Sequence, residues 1–494
     1  MISRYAMWLP KRLIFFVFTG LQFCSYNLEQ QIDRETDTTL PNLISNPLNG
    51  STVRSLSTIE LIFSEAVAGP ELKSNFDISG AGKNTLAIDR IEKLSDSKFR
   101  ISLTGTPGDG EITFNLSGIQ DKVGNLLENS SLNYKGDGLP KWRYLARNMS
   151  RGLLPSDGLN IVELNGNLYI AYTDLECENE NGGKRDFTVV KFNITDQTFS
   201  TTGSPCISGT TFNNTSSVTL YADTTTIYTA YRDGNTPDYK ASVKKFENNQ
   251  WVAVGNLNFS PGSILTPSLI KSNNDIYISF RDGSNSNRLA VYTKNVGNSN
   301  AWAQLGSAIS QGNTFHSSPM AVFNNQLYIS FRDGGASSHP YVSRYDSGST
   351  SWNPIALDNS TTRTTSIFIA GEVLYTVYPY SSGNWLLRVK YLDTDLLWKS
   401  YAADTDVSSS TPNWLNCGSY QSRPYCNYQS GSGFSFLRVT ENNVWQDLSS
   451  PGAADSALNG ANTNSVQHNN KIYVAVRDTD VAPYTDRLTL LSYE

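Results

Sequence analysis

The sequence predicts an all-β protein: a β-sandwich followed by a seven-bladed β-propeller closed by an N-terminal strand. Three observations carry this. Strand-length runs of alternating polar and apolar residues, separated by turn residues, fill the chain after its first forty residues. The segments "SNNDIYISFRDG" and "FNNQLYISFRDG" repeat nearly verbatim, ending at Gly283 and Gly334. Further copies set a period of about fifty residues, the size of one four-stranded propeller blade.

In chain order, the first element is a leader. Arg4, Lys11 and Arg12 precede the apolar run "LIFFVFTGLQF", Leu13 to Phe23, which has the length of a signal-peptide core and is too short to span a bilayer. Residues 1–23 are therefore expected to be a signal peptide. Cys24 follows at once, and "LQFC" resembles the lipobox of bacterial lipoproteins in the loose form that spirochaetes tolerate. Leu21 fits that pattern, and Phe23 is bulkier than the residue usual there. The resemblance implies that Cys24 is lipidated, with 24–40 as its linker. An ordinary signal peptide with a coincidental cysteine is the alternative.

The second element spans 41–136. "TIELIFSE" and "EITFNLSG" alternate as half-buried strands do. "PLNGST", "IELIFSE" and "GIQDKVGNLL" (Gly118 to Leu127) resemble the bacterial Ig-like domains of surface-layer and adhesin proteins, which implies a β-sandwich acting as a stalk or spacer. Gly124 suits a turn that needs a positive φ, and Asp121 is expected to cap that turn rather than bind a metal.

The third element, 139–494, is the repeat. Asp174, Asp233, Asp282, Asp333 and Asp478 mark five copies, and Tyr380 takes the same place in "LYTVYPY". Aligning "TPNWLNCGSYQSRPYCN" with "TPSLIKSNNDIYISFRD" supplies a degenerate sixth copy with Asn427 at the Asp position, which makes the "IYVAVRD" copy the seventh. An aromatic opens the last strand of six copies: Phe199, Trp251, Trp302, Trp352, Trp398 and Trp445. The seventh copy ends one strand short at "RLTLLSYE", and "KWRYLARN" ahead of the first copy supplies the missing aromatic, Trp142. That strand is expected to complete the last blade and close the ring, removing free sheet edges. The wording "YxAYxD…VxKF…WxxVG" resembles a family of secreted bacterial propeller proteins over about 140–494. The resemblance implies architecture and leaves activity open.

The repeated pairs Arg232–Asp233, Arg281–Asp282, Arg332–Asp333 and Arg477–Asp478 fall at the end of the second strand, on one rim of the ring. Two readings stand: a blade-to-blade latch, or a rim that binds an anionic or glycan ligand. Blades five and six lose the motif together and are rich in aromatics. Tyr380, Trp385 and Tyr428 are the candidate aromatic binding surface there, with Trp414 expected in the core.

Five cysteines are odd for an exported chain. With Cys24 set aside, the remaining four permit three pairings, and their spacing suits Cys177–Cys206 and Cys417–Cys426. The first pair falls on one rim. In the aligned register Cys417 lies near an inner turn and Cys426 at the far end of the next strand, too far to bond, unless the segment re-forms as a closed loop.

The formal net charge is −6, and no basic run stands out, so nucleic acid is not an expected partner. His316, His339 and His468 show no metal-ligand spacing, and no metal or cofactor is expected. No nucleophile-elbow or zinc-protease motif is present. One loose likeness to a sialidase Asp box, in "SRYDSGSTSW", leaves a glycosidase or sialidase-like propeller as an alternative. The leading expectation is a monomeric surface lipoprotein, on the outer membrane or cell surface, binding a host or envelope macromolecule or a glycan. A purely architectural envelope role is the third.

Overall fold

The structure is a computed structural model that describes residues 37–493 apart from 54, 129, 138–141, 153, 155–158, 181–185, 209–217, 235–237, 296–299, 315, 382–383, 409–412, 431–432, 440–441, 449–457 and 479–486. Cys24 and the leader lie outside the described residues. The described residues form two compact units, divided between residues 140 and 141.

The first unit is two four-stranded sheets face to face. One contains Thr58–Phe63 and Lys98–Thr104, the other Asp109–Leu116 and Ser131–Asp137. Alternation does the work expected of it: Ile59, Leu61, Phe99, Ile101, Ile112, Phe114 and Tyr134 point inward and form one core. Asp121 caps the turn after it, its Oδ1 accepting from the backbone N–H groups of Val123, Gly124 and Asn125 at 2.6–2.8 Å.

The second unit is a propeller-like succession of four-stranded antiparallel sheets, one of which gains a fifth strand, Thr405–Ser408. We number them one to seven by their second strands: Asn167–Asp174, Ile227–Asp233, Asp275–Asp282, Gln326–Asp333, Val373–Ser381, Arg423–Ser430 and Lys471–Asp478. Each first strand packs beside the first strand of the next sheet, and that of sheet seven returns to that of sheet one, so the innermost strands form a closed circuit. Sheet seven takes its outermost strand from the other end of the unit. Trp142–Ala146 pairs antiparallel with Arg487–Tyr493, Trp142 opposite Tyr493 and Tyr144 opposite Leu491.

Each sheet is two-faced and must bury both faces against its neighbours. The second strands are therefore almost wholly apolar, as in Leu168, Ile170 and Tyr172 or Ile276, Ile278 and Phe280. One tyrosine recurs near the start of every second strand: Tyr169, Tyr228, Tyr277, Tyr328, Tyr375, Tyr425 and Tyr473. The outer aromatics act as inter-sheet ties. The indole N–H groups of Trp251, Trp302, Trp352 and Trp142 donate to the carbonyls of Thr202, Val254, Leu305 and Leu448, each just past the last strand of the preceding sheet, at 2.8–3.2 Å.

The sixth sheet corrects the sequence alignment. Its first hairpin turns at Gln421 and Ser422, both at positive φ, as Asn324 and Asn325 do in sheet four. Counting from that turn, Asn427 occupies the position of Ser279, and Ser430 that of the RDG aspartates. The alignment followed the motif's end and was three residues out. Cys417 and Cys426 are consequently direct cross-strand partners, with Cα atoms 4.1 Å apart, and are disulfide-bonded. Cys177, in the short helix Glu176–Glu180, is bonded to Cys206 in the loop leading to sheet two.

Candidate functional site

The arginine and the aspartate of the repeated motif do different things. Consecutive residues on a strand face opposite sides, so the pair is split across its sheet. The aspartates are buried and fasten loops. Asp333 accepts from Gly335 N in its own turn and from Gln311 N and Gly312 N in the loop arriving from sheet three, all at 2.8–2.9 Å. The backbones meet so closely there that a Cβ on Gly312 would lie 2.2 Å from Gly335 N. Asp282 accepts from Ser284 N and Oγ within its own loop. Asp233 accepts from Ser242 Oγ on the third strand. Asp478 accepts from Thr489 Oγ1 and from Arg147, which ties the closing strand's end to sheet seven.

The arginines face the other way, and Arg281 and Arg332 come near one another. Arg281 donates to Asn313 Oδ1 at 3.1 Å, and Arg332 to Ser338 Oγ. The Arg232 guanidinium stacks over Tyr239 at 4.3 Å. Arg477 holds the same register in sheet seven, between Asn459 and Leu488. Arg281, Arg332 and the exposed Arg363 repel one another. Burial lowers the pKa of Arg281 and Arg332, and the positive neighbour, Arg332 for the first and Arg363 for the second, lowers it further. His316 lies among them. Burial, followed by the charges of Arg363, Arg332 and Arg281, pushes its pKa down to about 4, so its imidazole is neutral at neutral pH. Its carbonyl accepts from Thr266 Oγ1 across the sheet three to four boundary. Thr266 sits at a bulge in the first strand of sheet three with φ of 50°, a strained conformation for a β-branched residue. The site thus combines three guanidinium groups, a neutral imidazole and one strained backbone position.

Neither His316 nor Arg363 carried a sequence signal, because both lie in irregular loops between sheets where the repeat has no fixed wording. The one available cue was that the loops between sheets share a rim with the ends of the second strands, where the arginines lie.

The aromatic surface expected on blades five and six needs correction. Tyr380 is 7% exposed and Tyr428 5%, and both belong to apolar clusters between sheets. Trp385 is half-buried at the start of its strand. Tyr380 replaces the motif aspartate with a different fastening. Its hydroxyl donates to Asp404, that of Tyr378 to Asp358, both at 2.6 Å, and Arg388 bridges the two carboxylates over the Tyr380 ring. Burial raises the pKa of Tyr380 and the hydrogen bond to Asp404 raises it further, so this phenol stays protonated. The Tyr380 and Tyr428 rings fill junctions between sheets and offer no open face to a ligand.

In the first unit, carboxylate oxygens of Asp37, Glu65 and Asp121 lie within 4.8 Å of one another. Burial and the two neighbouring acids raise the pKa of Glu65.

No family model matches this chain, and no curated protein matches it. Among solved structures, an ulvan lyase from a new polysaccharide lyase family, bound to -[GlcA(1-4)Rha3S]-, superposes with a TM-score of 0.45 and 12% identity over 70% of this chain and 94% of its own. The polysaccharide lyase Uly1 gives 0.44 and 10% over 68% and 89%. YjhT gives 0.39 and 12% over 56% and 93%.

Proposed function

We propose that this is an exported, lipid-anchored surface protein in which a bacterial Ig-like module carries a seven-bladed propeller, and that the mouth of the propeller binds an acidic glycan. The observation that carries the binding reading is the convergence of Arg281, Arg332 and Arg363 around His316 at one end of the ring. Guanidinium groups match carboxylate and sulfate in geometry. An anion entering among them meets several guanidinium groups at once. The remainder of the chain is acidic overall, which discourages a highly charged duplex and suits a polymer whose charges are spaced one per sugar. Lipidation at Cys24 and placement on the cell surface rest on the leader alone.

The test is titration of the purified protein with a polyuronate and a sulfated polysaccharide. Arg281→Ala combined with Arg332→Ala is expected to weaken binding at least about tenfold, with affinity falling as salt rises. Unchanged affinity in the double variant would remove the reading. A second reading, catalysis on the same polymer, is favoured by His316, a neutral imidazole beside guanidinium groups, which is the state a proton acceptor requires. Chain shortening of the bound polymer, lost in His316→Gln while binding persists, distinguishes the two.

A further inference from the structure

The opposite end of the ring, where first and second strands turn into one another, holds a cleft of about 580 Å³ at the turns of sheets one, two and three. Its walls include Glu163, Asn165, Tyr221, Asp223, Lys271 and Asn273. Asn165 and Asn273 belong to the repeated hairpin turn, as Asn324 and Asn469 do, but the repeat does not set Tyr221, Asp223 or Lys271. At the positions of Lys271 and Ser272, sheet four has Val322 and Phe323, and sheet five has Ile369 and Ala370. Sheets six and seven have Ser419 and Gln467 at the Lys271 position, so a lysine there is particular to the sheet that lines the cleft.

The set is also rigidly held. Tyr221 spans from sheet two to sheet three, its hydroxyl donating to the Lys271 carbonyl at 3.2 Å, and its half-buried ring lines the cleft. Lys271 and Asp223 form an ion pair between the same two sheets. Asp223 also accepts from Thr225 N and Thr226 N at 2.7–2.8 Å. Burial alone would raise its pKa, yet Lys271 and these N–H groups bring it down to about 2, so the pair stays ionised and cancels its own charge. Glu163 accepts from Gly166 N and lies 3.2 Å from His468 Nδ1.

We infer that this cleft is a second binding site, for a neutral sugar of one or two rings. The volume falls in the range of small-ligand sites. A pre-set tyrosine ring offers a stacking face, and the amides and carboxylates around it offer donors and acceptors for hydroxyl groups. Glu163 repels an acidic sugar, while the Asp223–Lys271 pair leaves no net charge to attract one. The two ends of the ring therefore differ in ligand charge, and the inference does not depend on the acidic-glycan reading of the other end.

The experiment is calorimetric titration of the intact protein with neutral disaccharides of glucose, galactose and mannose, with glucuronate and glucosamine as charged counterparts. At least one neutral disaccharide is expected to bind at millimolar concentration or better, with little dependence on salt. Tyr221→Ala is expected to weaken it at least about tenfold, and Tyr221→Phe less than about threefold. Because Tyr221 is partly buried, Thr224→Arg provides the same test from an exposed turn position, filling the cleft without touching the core. Arg281→Ala should leave this binding unchanged. The inference is overturned if no neutral disaccharide binds, if glucosamine or glucuronate binds more tightly, or if Thr224→Arg binds as the unmodified protein does.

Discussion

Replacing Asp333 tests the fastening role of the motif aspartates. Asp333 is 3% exposed and accepts three backbone N–H bonds, two of them from the loop of the neighbouring sheet. In Asp333→Ala those donors lose a charged acceptor. A buried donor left unsatisfied costs about 1–3 kcal/mol, and partial hydration at the rim places each near the low end, so the variant should lose about 3–5 kcal/mol. Asp282→Ala is the internal control. Its side chain bonds only Ser284 N and Oγ within one exposed loop, and the expected loss is about 1–2 kcal/mol. Asp333→Asn retains one acceptor oxygen and should fall between them. Thermal unfolding followed by near-ultraviolet circular dichroism measures the order. For a unit of this size about 1 kcal/mol moves Tm by roughly 2–4 °C or less, so the two alanine variants should separate by several degrees. Equal shifts would refute the argument that inter-sheet bonds through Asp333 hold sheets three and four together.

His316 sets an acid limb. Its folded pKa of about 4 lies below the ordinary 6.5, so the unfolded chain takes up the proton first. Stability should fall as pH drops from about 6.5 to about 4, by up to about 3 kcal/mol, and then level off; denaturant titration of His316→Gln should lack that slope. A chain beginning at residue 138 should stay monomeric by sedimentation. One beginning at 151 loses Trp142–Ala146, exposes the edge of Arg487–Tyr493 and should aggregate. Of the disulfides, Cys177–Cys206 closes the longer loop, 29 residues against 9, so its Ser variant should cost about 1 kcal/mol more than Cys417→Ser in thermal unfolding.

What the sequence disclosed follows from what a repeat can encode. Burial on both faces of a sheet forces the same apolar wording wherever a second strand recurs, so "IYISFRDG" revealed the period and the unpaired last copy revealed the closing strand. The sixth copy misled because Gln421 and Ser422 replace the Asn-Asn of its hairpin, and the motif's end was the poorer ruler. The tyrosine shared by Tyr375, Tyr425 and Tyr473 was the better one. The site was half legible. Arg281 and Arg332 recur, so they were seen, but their separation from Asp282 and Asp333 depends on which face each occupies. Tyr380 looked like a surface residue because it interrupts the motif, and Tyr428 because the misplaced register moved it out of the Phe280 position that it holds. The interruption is instead a change of fastener, built from Asp358, Asp404 and Arg388, residues scattered over loops that no local pattern connects.

The pairing of Trp142–Ala146 with Arg487–Tyr493 also orders events in time. A nascent chain makes its first strand of sheet seven's rim long before the partner emerges, and every intermediate length presents an open ring with two unpaired edges. Six sheets can stack as they leave the ribosome, but the circuit shuts only when Arg487–Tyr493 arrives. Loops closed over so long a stretch of chain form slowly and late. A ribosome that stops before Arg487 therefore releases a molecule with no completed sheet seven.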